Sequence, residues 1–505
     1  MEHTSKLHRT AAPGAGVAPW TGNRLCFGDC LDILEADDAG RPVVADESVD
    51  LVYLDPPFNS KADYNMIFGK GVDKQAQMQA FTDTWRWGGR GTLDVEEIKN
   101  AVAHPAHAAV SGLHMALGDS GMMAYLGYMA KRLAVIHRKM KPTASVYLHC
   151  DPTASHYLKI VMDGIFGAKN FRQEIIWYRY NKIDDKRKVW CKYHDAIFCY
   201  SMSPDMTWNQ LTVGTGEMVT RKKIKKIGGK IANTDELVTY ERQKCLTRSV
   251  IDNIPDIAIG SSKQKLGYPT QKPLALLERI IKTSSNPGDF VLDPFCGCGT
   301  TIAAAELLDR RWIGIDISAA TIRIVTKARK ELGEQKNYAV FGIPRGMEEA
   351  KKLAETNRLQ YENWQISTVP GLAPNNRKNQ EGYDGRGTFL EVTGVAEGKS
   401  PRRTITAEVK SGQGGVTAAQ RNHLKAHVEQ NKSAMGIFLT LKHDPATERW
   451  CKAQGFYRMP GSVRQYPRFQ VYSAEHYFSD ILPDIPPMLD PMTGRPVQEE
   501  FFARK

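Results

Sequence analysis

Apolar and polar positions change rhythm several times along the chain, and those changes mark its elements. Residues 49–54 (Val-Asp-Leu-Val-Tyr-Leu) and 145–150 are short, nearly continuous apolar runs, the signature of buried strands. Residues 25–30 give a further strand and turn, with a helix starting at Leu31. Residues 93–141 carry Ala, Leu and Met at helical spacing and predict two or more helices. Pro142 ends that run, because proline disfavours helix at the residue before it. A helix over 157–166 stops at Gly167, and strands are predicted over 174–178 and 196–200. Residues 290–293 and 312–316 are strands that each end in an acid. Strands alternating with helices over 20–336 predict an α/β domain with a mostly parallel sheet covered on both faces.

Residues 201–265 break the rhythm and show no clear period. A second, smaller α/β domain is predicted over 341–480. It has a helix over 347–359, a polar Gly-rich stretch over 375–387, and paired strands over 389–392 and 404–409. A helix over 418–429 and an apolar strand over 435–441 follow. Residues 481–505 are Pro-rich and predict an extended surface tail. Residues 1–19 lack a signal-peptide apolar core and predict a loose arm.

Length and charge narrow the class. A chain of 505 residues suggests two or three domains. A net charge of +12 favours an anionic partner such as nucleic acid, although a generic basic protein has the same balance. The cysteines lack paired spacing, which argues against a disulfide scaffold and fits a cytoplasmic protein. Cys191, His194 and Cys199 do not make a zinc spacing. No apolar run approaches the length of a membrane span.

The chemistry concentrates in two places. Asp55, Pro56, Pro57 and Phe58 follow the 49–54 strand directly. The exocyclic amine of a base is a poor nucleophile, because its lone pair is delocalised into the ring. Hydrogen bonds to Asp55 and to the Pro56 carbonyl would localise that pair, and Phe58 would stack on the extruded base. The plain alternative is a turn after a strand. The second place is the Gly-rich turn after residues 290–293, where Gly297 and Gly299 allow close backbone approach to a ligand. Asp293 stands at the strand tip, Phe295 in the loop and Thr300 at the helix start, and Asp316 is placed for ribose hydroxyls. A nucleotide dehydrogenase shares this layout, but the third glycine at dinucleotide spacing is missing. Cys296 and Cys298 read as loop lining. Asp29 could touch an adenine or simply cap a helix.

Several segments together resemble the bacterial and phage site-specific DNA methyltransferases of the permuted order, in which the catalytic motif precedes the cofactor motif. They are 28–30, 54–59, 147–157, 267–273 and 287–318. The resemblance covers residues 20–335 and implies a Rossmann-like fold that uses S-adenosyl-L-methionine on double-stranded DNA. It places Asp29 and Cys30 in the cofactor site, with Thr270, Gln271 and Lys272 closing over the cofactor's methionine end. An aspartate at the first motif position implies N6 of adenine; cytosine N4 more often goes with serine. Arg221, Lys222, Lys223, Lys225 and Lys226 lie between the two motifs, so 201–265 reads as a DNA-contacting, target-recognition insertion, or else as a solvated face. A homodimer or a restriction-system partner would fit such a family.

The second domain resembles the PD-(D/E)xK nucleases through Asp384 and the Glu408-Val409-Lys410 strand. The resemblance implies Mg²⁺ on Asp384 and Glu408, with Lys410 polarising water or phosphate. Glu362 and Gln420 fit the wider pattern. The rival is a catalytically silent DNA-binding or partner-binding domain.

Overall fold

The computed structural model describes residues 22–38, 41–57, 63–65, 79–82, 85, 87–88, 90–179, 190, 193–227, 230–257, 266, 271–318, 321–322, 325–326, 338–375, 382–391, 401–412, 414–460 and 463–489. The arm at 1–19, Phe58, Thr270 and residues 490–505 lie outside the described residues.

Nine strands form the main sheet. In spatial order they are Val250–Ile251, Phe171–Tyr178, His194–Ser201, Met140–Cys150, Val49–Leu54, Phe290–Asp293, Arg311–Asp316, Asn23–Phe27 and Tyr338–Phe341. His194–Ser201 runs antiparallel to both neighbours. Every other pairing is parallel. The sheet is therefore mostly parallel, as the alternation predicts.

Strand periodicity sorts side chains into two cores. Leu25, Phe27, Tyr147 and Val291 face one core, where the Leu274–Ser284 helix contributes Leu277 and Ile281. Cys26, Val146, Leu148 and Leu292 face the other, against Met123, Leu126 and Leu133 of the Gly121–Lys139 helix. Three helices, Arg90–Asn100, His107–Leu117 and Gly121–Lys139, fill the predicted helical stretch. The last gives way at Met140 to a strand.

The first core continues into a second sheet of five strands, ordered Leu372–Pro374, Gly385–Leu390, Arg402–Lys410, Met435–Thr440 and Phe469–Ser473. Tyr361 and Trp364 belong to that shared core, and Gln360 Nε2 donates to the Phe27 carbonyl at 2.8 Å. The helix expected over 347–359 is two helices, Met347–Thr356 and Arg358–Ser367. They break at Asn357, whose side chain caps the second by accepting from Gln360 N.

Three further sequence expectations are corrected. Tyr338–Phe341 pairs with Asn23–Phe27, so the main sheet reaches past the boundary drawn at 336. Residues 201–265 hold an antiparallel pair of long strands, Thr212–Ile227 and Lys230–Cys245. Among the described residues of that ribbon none is buried, so at those positions no core imposes a period of two. The basic run Arg221, Lys222, Lys223, Lys225 and Lys226 lies on its first strand. At the root of this hairpin, Asn209 Nδ2 donates to the Lys282 and Ser285 carbonyls at the end of the Leu274–Ser284 helix, groups the helix cannot satisfy itself. Finally, 481–489 is not a surface tail throughout. Met488 and Leu489 are buried, and Leu489 N donates to the Thr388 carbonyl.

Among the described residues no helix is long and apolar enough to cross a membrane.

Met488→Ala removes a side chain that packs over Gly371 and Gly387. It is expected to destabilise the second sheet by about 2–5 kcal/mol. Urea unfolding followed by tryptophan fluorescence of the full chain checks this.

Candidate active site

Three acids stand at the carboxyl ends of neighbouring parallel strands. Asp293 and Asp316 close their own strands, and Asp55 is the first residue after Val49–Leu54. In open α/β sheets, ligands bind in the crevice beyond those ends. Here the crevice is a cavity of about 820 Å³, counting its open mouth, and all three acids line it. Gly28, Tyr53, Gln271 and Lys272 line it too. Burial pushes the Asp293 carboxyl up to about 7, against hydrogen bonds from Thr301 and Phe295 N. Burial likewise pushes Asp316 up to about 6, against the backbone N–H groups of Ser318 and Gly297.

The loop between the two acids is built from backbone bonds. Gly297 N donates to Asp316 Oδ2 at 3.0 Å, and Cys296 N donates to the Ile315 carbonyl at 2.9 Å. Gly297 adopts φ +47° and lines the cavity, as do Phe295 and Thr300. Cys296 and Cys298 are buried loop lining, as read from the sequence.

Lys272 joins the two motifs. Its Nζ lies 2.5 Å from Asp55 Oδ2, so the segment that precedes the Leu274–Ser284 helix reaches the strand end that carries the acid. The other oxygen, Asp55 Oδ1, is buried and has no hydrogen-bond partner. A buried acceptor left in that state costs about 1–3 kcal/mol. It is poised for a donor brought by a ligand.

Beneath Asp55 runs a buried polar chain. Tyr53, two residues earlier on the same strand face, has its hydroxyl 2.9 Å from His149 Nδ1. His149 Nε2 lies 3.1 Å from Asp195 Oδ2, and Arg179 Nη2 lies 2.9 Å from Asp195 Oδ1. Burial would raise the Asp195 carboxyl, but His149, Arg179 and Lys272 outweigh it and hold it at about 2.

The sequence profile of the family described as DNA methylase, covering N6 and N4 enzymes, matches residues 49–327, more than half of the chain. The chain belongs to this DNA methylase family. It is 26% identical over 298 residues to a type II methyltransferase of Enterobacter cloacae, a match covering 47% of this chain and 65% of that protein. The chain thus spans just under two thirds of that relative's length. It is 25% identical over 285 residues to the DNA adenine methyltransferase YhdJ of Escherichia coli K12, covering 55% of this chain and 75% of that protein. Among solved structures it is similar to the cytosine-N4-specific PvuII DNA methyltransferase, at 17% identity and a TM-score of 0.37, covering 64% of this chain and 95% of that one.

The remaining residues singled out in the sequence fall in different places. Asp29 accepts from Leu31 N at 2.9 Å, capping the Cys30–Leu34 helix, and takes both Nη2 contacts of buried Arg132 at 2.6 and 2.7 Å. It lines the cavity, yet its carboxylate is largely engaged by the protein. Cys30 also lines the cavity, and burial pushes its thiol up to about 12. Gly299 does not line the cavity. It is needed by the loop itself, since its φ is +74° and an added Cβ would meet Val325 Cγ2 at 2.8 Å. Pro57 lines the cavity and Pro56 does not; Phe58 and Thr270 lie outside the described residues. Tyr53, His149, Asp195 and Arg132 were missed. Their signal was polar residues inside apolar runs, which are rarely buried without a partner.

On the second sheet, Asp384 Oδ2 accepts from Val409 N at 2.7 Å. Glu408 Oε1 contacts His423 Nδ1 at 2.7 Å, and Lys410 Nζ lies 3.0 Å from Glu408 Oε2. Glu362 is paired with Arg358, and Gln420 closes a capping box with Thr417. The carboxylates of the nuclease-like pattern are thus engaged by the protein's own groups.

Gly299→Ala is expected to destabilise the protein by about 1–3 kcal/mol with no ligand present. Thermal unfolding of the ligand-free protein measures it. An unchanged melting temperature would return Gly299 to a ligand-contacting role.

Proposed function

We propose that the methylase transfers a methyl group from S-adenosyl-L-methionine to the N6 amine of an adenine extruded from double-stranded DNA. The observation that carries this reading is Asp55 itself. One of its oxygens is fixed by Lys272 while the other is buried without a donor, beside a cavity that also holds Asp293 and Asp316. S-adenosyl-L-methionine, when bound, supplies the methyl electrophile and brings a sulfonium and an ammonium. A cavity lined by three acids suits that cationic balance.

Asp55 Oδ1 accepts one proton of the target amine, and the carbonyl of Pro56, which sits between the lining residues Asp55 and Pro57, accepts the other. Both bonds draw the nitrogen toward tetrahedral geometry and free its lone pair. As the nitrogen–carbon bond forms and the sulfur–carbon bond breaks, the surplus proton leaves the nitrogen toward Asp55 Oδ1. Lys272 keeps the carboxylate in register, and Tyr53 with His149 and Asp195 stiffens the strand end beneath it. The chain's main task is orientation. The basic strand carrying Arg221 to Lys226 supplies phosphate contacts, which hold DNA without reading its sequence. Adenine is favoured over cytosine by the aspartate in the first motif position and by the name of the Escherichia coli relative.

Asp55→Ala is expected to slow methyl transfer by at least about 10²-fold while cofactor affinity stays nearly unchanged. Calorimetry with S-adenosyl-L-methionine and a tritium-transfer assay measure the two. Near-normal turnover would remove Asp55 from the reaction. Nucleoside analysis of the product separates N6-methyladenine from N4-methylcytosine.

The raised carboxyls give a pH dependence with a definite sign. Asp316 near 6 and Asp293 near 7 hold protons that a cationic cofactor must displace. Affinity should therefore rise as pH climbs through that window, by up to about tenfold per unit for one proton displaced. The empty protein should show the opposite trend. Its folded carboxyls lie above their unfolded values, so their contribution to stability falls as pH rises from the ordinary carboxylate range to about 7. Calorimetric titration and urea unfolding across that range check both trends.

A further inference from the structure

The second sheet holds a cluster that methyl transfer does not use. Glu408 lies on the Arg402–Lys410 strand and is 1% exposed. His423 and His427 are four residues apart on the Ala418–Gln430 helix and share one face. One ligand atom from each of the three falls within 4.8 Å of the others. His423 Nδ1 is 2.7 Å from Glu408 Oε1, and His423 Nε2 is 3.0 Å from His427 Nε2. Glu408 Oε2 is buried and makes no hydrogen bond, with the Lys410 ammonium 3.0 Å away.

Proton placement follows from these contacts. A carboxylate only accepts, so the proton between Glu408 and His423 sits on Nδ1. His423 Nε2 then presents a lone pair toward His427. With no metal bound, a proton on His427 Nε2 fills the gap between the two nitrogens. A dication can take that proton's place. Two nitrogens bound to zinc at about 2.0–2.1 Å in a tetrahedral site stand roughly 3.3 Å apart. The observed 3.0 Å is close to that edge. Behind His423, the buried carboxylate makes the carboxylate–histidine pair that orients a ligand ring and strengthens its basicity.

We propose that His423 and His427, with Glu408 backing His423, form a site for a divalent transition-metal ion of the zinc class. Imidazole donors select such ions over Mg²⁺, which prefers oxygen ligands and bound water. Asp384, bonded to Val409 N, is not part of this cluster. The site therefore differs from the Asp384–Glu408 arrangement that the nuclease resemblance implies, in both ligands and metal. Two histidines leave coordination positions open to water or a phosphate oxygen.

The test uses the full chain, stripped with chelator and titrated with Co²⁺, whose visible absorption reports nitrogen coordination, followed by competition with Zn²⁺ and Mg²⁺. The expected result is a single equivalent bound per chain, displaced by Zn²⁺ and not by Mg²⁺. His423→Ala and His427→Ala should each abolish the band, and His427→Ala should leave S-adenosyl-L-methionine affinity unchanged. Glu408→Gln should weaken binding by about 10–100-fold. Wild-type affinity in Glu408→Gln would mean a surface histidine pair only and would overturn the proposal. So would binding that survives either histidine substitution, or no stoichiometric binding at all. Circular dichroism checks each fold. If Glu408→Gln does not fold, the two histidine variants decide the matter, since both nitrogens are required.

Discussion

The ion pair between Lys272 and Asp55 holds together two pieces of chain that are 217 residues apart in sequence. Asp55 stands where the central strand of the main sheet ends, and an unpaired carboxylate there would face two more acids across the cavity. Charge on Asp55 is repelled by any charge on those acids, and a cation at its edge relieves that repulsion. Lys272 is that cation, and it arrives on the segment leading into the Leu274–Ser284 helix. This bond fixes Asp55 Oδ2 and leaves the buried Asp55 Oδ1 available to an incoming donor.

Much of the fold was legible because the main sheet is buried on both faces. Parallel strands such as Val49–Leu54 are apolar on both sides and stand out as short continuous runs, and the helices between them keep their own period. The Thr212–Ile227 and Lys230–Cys245 ribbon was illegible for the opposite reason, since its described residues are exposed or half-buried and show no apolar alternation. In the site, the strand-end acids were legible from position alone. The chain from Tyr53 through His149 to Asp195 was not, because it joins three strands whose adjacency no local pattern encodes. Gly299 shows a subtler limit. A glycine in a cofactor loop invites a ligand-contact reading, whereas here the backbone twist and Val325 account for it.

The second sheet is not an appendage hung from a linker. Trp364 and Tyr361 sit in the same apolar cluster as Leu25 and Phe27, and Gln360 bonds to the carbonyl of Phe27, next to Gly28 at the cavity wall. Packing of this kind couples the two sheets mechanically, because close-packed interiors transmit displacement. The Arg358–Ser367 helix thus bonds directly to the end of the strand that leads into Gly28 and Asp29.

The central pairing of Val49–Leu54 with Phe290–Asp293 also has a kinetic meaning. Phe290 N bonds to Asp50 Oδ2 across 240 residues of chain, so the two halves of the cavity are synthesised far apart in time. Closing a loop of that length costs entropy before any contact rewards it, and such non-local pairings form late and slowly. At ribosomal rates of about 5–20 residues per second, the strand ending at Leu54 waits roughly 12–50 seconds for its neighbour. During that wait the backbone groups along that edge are open to other partners. The nascent chain consequently carries an incomplete site and a central strand paired on one edge only, beside Met140–Cys150, and both conditions end in the same docking event.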